Sequence, residues 1–108
     1  MTLRGFLSVP YLVEAEAVET CPGRWVRRVS HPELPDCRVE GSDIVDALRA
    51  LERRRIEVIV RILRQGTPPP LPRPPFEGAD PEGLLARHGL HAELAPLLDL
   101  TAADFARS

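Results

Sequence analysis

The side chains of this chain with chemistry to offer are three histidines, two cysteines, one tryptophan and a crowded set of arginines. His31 comes first, because an imidazole titrates near neutrality and acts as a general base when a nucleophile stands within hydrogen-bond reach. No lysine and no second histidine lies near it in sequence, and two prolines follow at positions 32 and 35, so His31 reads as a turn residue. His88 and His91 have the i, i+3 spacing that could share a metal ion on one helix face. Gly89 between them breaks such a helix, which makes them surface histidines. Cys21 and Cys37 have neither CxxC spacing nor a nearby histidine pair, so they read as two small, partly buried, reduced thiols rather than a zinc site or a disulfide. Arg53-Arg54-Arg55, with Arg49, Arg61 and Arg64, invites an RNA-binding reading. Glu52 and Glu57 neutralise the run and no aromatic residue interleaves it, which makes it a solvated helix face. Trp25 reads as core. No nucleophile–base pair, metal set or phosphate loop can be assembled, so the sequence predicts a protein that is not an enzyme and takes no cofactor and no metal.

These residues must be positioned by a small set of elements. From Tyr11 to Thr20, apolar residues and Glu14, Glu16 and Glu19 come near to alternating, the period of a half-buried strand. Cys21-Pro22-Gly23-Arg24 is a turn, and Trp25 to Ser30 alternates again, which predicts a hairpin. His31 to Asp36 is an irregular loop, since its prolines remove two backbone donors. Cys37 to Glu40 is short enough for a third strand closed by Gly41. Ser42 or Asp43 then caps a helix over Asp43 to Gln65, with Ile44, Ala47, Leu48, Leu51, Val58, Ile59, Ile62 and Leu63 in one stripe and Gly66 as its stop. Thr67 to Phe76 holds six prolines and must be an extended strap. Asp80 and Pro81 open a short helix that Gly89 ends. A second runs from about His91 to Leu98, weakened by Pro96, and Thr101 with Asp104 repeats a capping pattern.

Length and charge bound what such a chain does. At 108 residues there is room for one small domain with a short appended segment. Residues 1–65 hold 11 arginines against 10 carboxylates, net +1, whereas 66–108 hold 3 against 6, net −3. Leu84 to Leu98 loosely imitates helix-turn-helix spacing, but its second half offers His91 and Glu93 and no arginine, so DNA binding is not expected there. Its leucines pack on the domain or on a second copy, or form a detachable partner-binding helix. No apolar run is long enough for a membrane span, Met1 to Pro10 lacks the form of a signal peptide, and the chain is expected in the cytoplasm. All 14 basic residues are arginine, a codon bias that points to a GC-rich bacterium.

The order strand, turn, strand, His31-Pro32-Glu33-Leu34-Pro35-Asp36-Cys37, strand ending in Gly41, then a helix with Ala47-Leu48 and a proline-rich exit resembles the HicB antitoxin family. The likeness covers Tyr11 to Pro75, about 60% of the chain. Asp36 stands where the family has glycine, and asparate is among the residues that tolerate that turn. The family follows this domain with a DNA-binding helix-turn-helix or ribbon-helix-helix, whereas residues 66–108 here are acidic. The resemblance implies an α+β fold: a small antiparallel sheet of three or four strands, one long helix on one face, and short C-terminal helices. Residues 1–66 form the HicB-like domain, 67–76 the strap and 77–108 the helical segment, with any fourth strand supplied by residues 71–76 or by Leu3 to Val9. It further implies a binding protein that inhibits a small HicA-like ribonuclease, or else an orphan scaffold or regulatory subunit of another enzyme without toxin or DNA. The candidate partner-binding residues are Trp25, Arg27, His31, Glu33, Leu34 and Asp36. An open sheet with an uncovered edge also predicts a homodimer.

Overall fold

The structure is a computed structural model that describes residues 1–107. It is α+β, with a three-stranded antiparallel sheet, one long helix and short C-terminal helices. The chain divides into two compact units, one of Tyr11–Val58 and one of Met1–Pro10 together with the chain from Ile59 onward.

The first unit holds the sheet. Strands β1 (Glu14–Cys21), β2 (Arg24–Ser30) and β3 (Arg38–Gly41) lie in that order, with β2 central. Pairing sets Ala15 and Val39 on either side of Val29, and Glu16 and Glu40 on either side of Arg28. The register slips between Glu19 and Cys21, which leaves Thr20 as a bulge at the hairpin end. Of the odd-numbered positions of β2 only Val29 is buried, and fully so; after β3 comes the long helix α2 (Ile44–Arg64). Gly41 lets β3 come close to the start of α2, since a Cβ on it would stand 3.3 Å from the Ala47 Cβ, a tight contact. Asp43 caps α2 through its Oδ1, which accepts from the Val45 N–H at 2.6 Å and the Asp46 N–H at 3.3 Å.

The second unit gathers both termini around a leucine-rich core. The expectation of a strand within Leu3 to Val9 is corrected: Leu3–Leu7 is a helix, α1. Thr2 Oγ1 accepts from the Gly5 N–H at 3.3 Å, and Leu3, Phe6 and Leu7 then fall on one helical face and are all buried. The N–H groups of Leu3 and Arg4, orphaned at the helix start, donate to the carbonyls of Leu100 and Leu98 at 3.0 and 2.8 Å. Residues 71–76 are not a strand either, because prolines 72, 74 and 75 have no N–H to give a ladder. The segment is held at its end, with the Phe76 N–H donating to Ser8 O at 2.8 Å and Arg73 reaching Pro10 O at 3.1 Å.

Helix α2 ends at Arg64, and Gly66 follows at φ +79°, the left-handed conformation in which a glycine costs least. Asp80 caps α3 (Pro81–Arg87), as its residue type and Pro81 predict. The helix expected to reach Leu98 is shorter: α4 spans His91–Leu94 and gives way to a single 3₁₀ turn over Ala95–Leu97, since Pro96 cannot donate an intrahelical bond. Thr101 caps α5 (Ala102–Ala106) in a reciprocal box with Asp104, whose carboxyl is held below the usual carboxylate range by the bonds from Thr101. Among the described residues no helix is long and apolar enough to cross a membrane.

Candidate partner-binding surface

The loop between β2 and β3 is a clamp on the chain just before β1. His31 is buried, and its Nδ1 lies 2.9 Å from Leu12 O. A carbonyl oxygen only accepts, so Nδ1 carries the proton and donates. Glu33 Oε1 accepts the Leu12 N–H at 2.7 Å, so one peptide residue is gripped on both its polar groups by the same loop. Inside the loop the His31 N–H donates to Cys37 O at 2.9 Å and the Leu34 N–H to His31 O at 3.0 Å. Asp36 turns the chain at φ +54°, and the Arg54 Nε–H of α2 donates to its carbonyl at 3.2 Å. The Tyr11 ring meets His31 edge-on at 6.2 Å.

Electrostatics follow from this burial. Burial lowers the His31 pKa from its ordinary value, and Arg55 adds to the effect, while the bond to Leu12 O and the charge of Glu33 oppose it. Tyr11 is pushed up to about 12, first by burial. His31 is therefore a neutral donor at neutral pH, and the loop is a fastener for the sheet.

The six sequence-predicted residues separate into two groups. His31 and Leu34 point inward, at 6% and 3% exposure, and Glu33 is half-buried on Leu12. Trp25, Arg27 and Asp36 are exposed. Placing Trp25 in the core is corrected: it shares a face with Val29 but lies toward the hairpin end of β2, and it is 60% exposed. Cys21, in the same hairpin end, is exposed, whereas Cys37 is buried, so only one of the two thiols is sheltered.

Besides Trp25, the Tyr11–Val58 unit exposes apolar residues that the spacing argument had assigned to the core stripe or passed over. Ile44 and Leu48 belong to that stripe, yet they are 40% and 42% exposed, and Val45 beside them is 59% exposed. Leu12 and Val13, ahead of β1, are about half exposed. The available signal was Val45, an apolar residue off the stripe, which widens the apolar arc of the first helical turns beyond what one sheet needs. On the opposite sheet face Arg28 pairs with Glu40 at 3.1 Å and Glu16 at 3.5 Å, beside an open depression of about 500 Å³ lined by Glu14, Ala15, Glu16, Arg28, Ser30 and Arg38. That face is polar and wet. A second depression, of about 430 Å³, lies over the loop from Ser30 to Arg38 and includes His31, Leu34 and Cys37.

His88 is half-buried and His91 exposed, with Gly89 between their helices. Among the described residues no group of three or more His, Cys, Asp or Glu side chains is placed to hold a metal ion. Comparison with family models, with curated proteins and with solved structures gives no match for this chain.

Proposed function

We propose that the chain is a non-enzymatic binding module of the HicB antitoxin kind, which covers and inhibits a small HicA-like ribonuclease in the cytoplasm. One observation carries this reading. Within the Tyr11–Val58 unit, Leu12, Val13, Trp25, Ile44, Val45 and Leu48 are each 40–60% exposed, large apolar side chains that a partner would bury. Trp25 and Arg27 are both exposed and are of the types that anchor protein interfaces. In the absence of the partner the same surface brings two copies together as a homodimer.

The absence of a basic helix in the C-terminal sequence favours a module that works without DNA, and a scaffold or regulatory subunit of another enzyme is the second reading. The test is to purify the chain with the product of any adjoining short gene and to measure ribonuclease activity with and without it. Stoichiometric inhibition is expected, weakened at least about tenfold by Trp25→Asp, with an unchanged melting curve because Trp25 lies outside the core. A stable complex whose partner is not a ribonuclease selects the scaffold reading. Inhibition untouched by Trp25→Asp and by Leu48→Asp overturns the surface.

A further inference from the structure

This inference rests on the reading of the chain as a partner-binding module and concerns how the partner is held. Strand β1 is an edge of the sheet, paired only with β2, and all its residues but Val18 are exposed. From Glu14 to Glu19 alternate residues therefore turn N–H and C=O groups away from β2 with no main-chain partner, over about 20 Å, until the bulge at Thr20 ends the regular ladder.

A strand laid along this edge meets two different faces. On the face shared with Val29 stand Ala15 and Ala17, small and uncovered, with Arg27 and Trp25 exposed on the neighbouring strand. They leave room for bulky apolar side chains. On the other face stand Glu14 and Glu16, followed by the half-buried Val18. Glu16 makes the longer of the two contacts of Arg28, and Glu14 makes no ion pair among the described residues. The strand that β1 already holds meets this pattern in part: β2 sets Val29 against Ala15 and Arg28 against Glu16, while Ser30 stands against Glu14 and Arg27 against Ala17. A second copy of β1 is a poor occupant, because edge-to-edge pairing that keeps the faces aligned brings glutamates beside glutamates.

We propose that β1 accepts, by strand addition, an extended segment of a partner protein in which arginine or lysine alternates with a bulky apolar residue. The basic side chains lie beside Glu14 and Glu16, and the apolar ones beside Ala15 and Ala17.

The test uses the full chain and a capped peptide of alternating arginine and valine, about nine residues long, enough to span the edge. Three controls accompany it: the same composition in two blocks, an alternating glutamate–valine peptide, and the arginine–valine peptide with alternate backbone nitrogens methylated. Amide hydrogen exchange of residues 14–19 is read at about 0.1–1 mM peptide, the range of a weak single-strand contact. The alternating basic peptide is expected to slow the outward amides at least about tenfold, and the controls are expected to leave them unchanged. Glu14→Arg with Glu16→Arg should transfer the protection to the glutamate–valine peptide. Equal protection by the block or methylated peptide, or none by any of them, overturns strand addition, as does protection that rises with protein concentration alone. A ribonuclease held through Trp25 that leaves residues 14–19 exchanging as before overturns this inference and spares the proposed function. Peptide protection in a chain that inhibits no ribonuclease does the reverse.

Discussion

The two units of this molecule bury apolar side chains to different degrees. In the terminal unit Leu3, Leu63, Leu85 and Leu98 are fully buried, and Phe6 and Phe105 nearly so. Its elements are short, from Leu3–Leu7 to Ala102–Ala106, and none is stable alone, so packing and caps must hold them. In the sheet unit the elements are longer, yet six large apolar residues remain wet, against Met1, Leu71 and Phe76 in the terminal unit. The contrast teaches that exposure here is a property of place and not of composition. The terminal unit fully buries more of its leucines, whereas the sheet unit leaves Trp25, Ile44 and Leu48 exposed.

The largest effect that can break this comparison is a pair of equal truncations. Leu85→Ala removes a fully buried side chain and should cost about 2–5 kcal/mol, whereas Leu48→Ala removes a half-wet one and should stay within about 0.5 kcal/mol. At about 4–8 °C per kcal/mol for a domain of this size, thermal melting separates the two without ambiguity. Similar losses at both positions would mean that Leu48 is covered in solution, and the contrast between the units would fail.

The clamp offers a second way to sharpen the comparison, because it holds the open unit together without covering its apolar side. His31 is a base whose folded pKa is lowered by burial below the 6.5 of the unfolded chain. Between these two values the unfolded state binds a proton that the folded state refuses. Unfolding free energy therefore falls as pH falls through that window, and the full contribution of neutral His31 is present above about pH 6.5. Melting temperature measured from about pH 8 to pH 5 should decline in its lower half, and His31→Gln should flatten that decline. The same variant should bind a partner within a few-fold of the wild type, since His31 faces inward. A loss of binding by about a hundredfold at an unchanged melting temperature would place His31 in the interface or in chemistry.

How much of this was legible in the sequence depends on which force decides each feature. Local chemistry was readable: the Asp43 and Asp80 caps, the Thr101–Asp104 box, the hairpin at Pro22-Gly23 and the stop at Gly66 all stand where residue type puts them. Periodicity gave the long helix and the strands to within about three residues. Features set by distant parts of the chain were not readable. Leu3–Leu7 is too short for a periodic signal, and the carbonyls of Leu98 and Leu100 that receive its first N–H groups lie at the other end of the sequence. Trp25 failed for a related reason, since alternation tells which face a residue takes and not how deeply each position on that face is buried. Of the candidate site, the loop was found as a unit. Its division into a buried clamp and an exposed turn needed the contacts of Leu12.

The smallest expected effect tests the turn. Asp36 at φ +54° occupies a conformation that costs most non-glycine residues about 1–2 kcal/mol, and aspartate somewhat less. Asp36→Gly should therefore be neutral or raise stability by less than about 1 kcal/mol, while Asp36→Val, β-branched and unable to bond its own backbone, should lower it by about 1–2 kcal/mol. Both substitutions lose whatever the carboxylate contacts, so the difference between them isolates backbone strain. Chemical denaturation midpoints at constant slope measure that difference. Equal midpoints for glycine and valine would show that the left-handed turn is not held in solution. The Arg54 bond to the Asp36 carbonyl would then lose its fixed acceptor, and the tie between loop and helix would be weaker than its 3.2 Å length implies.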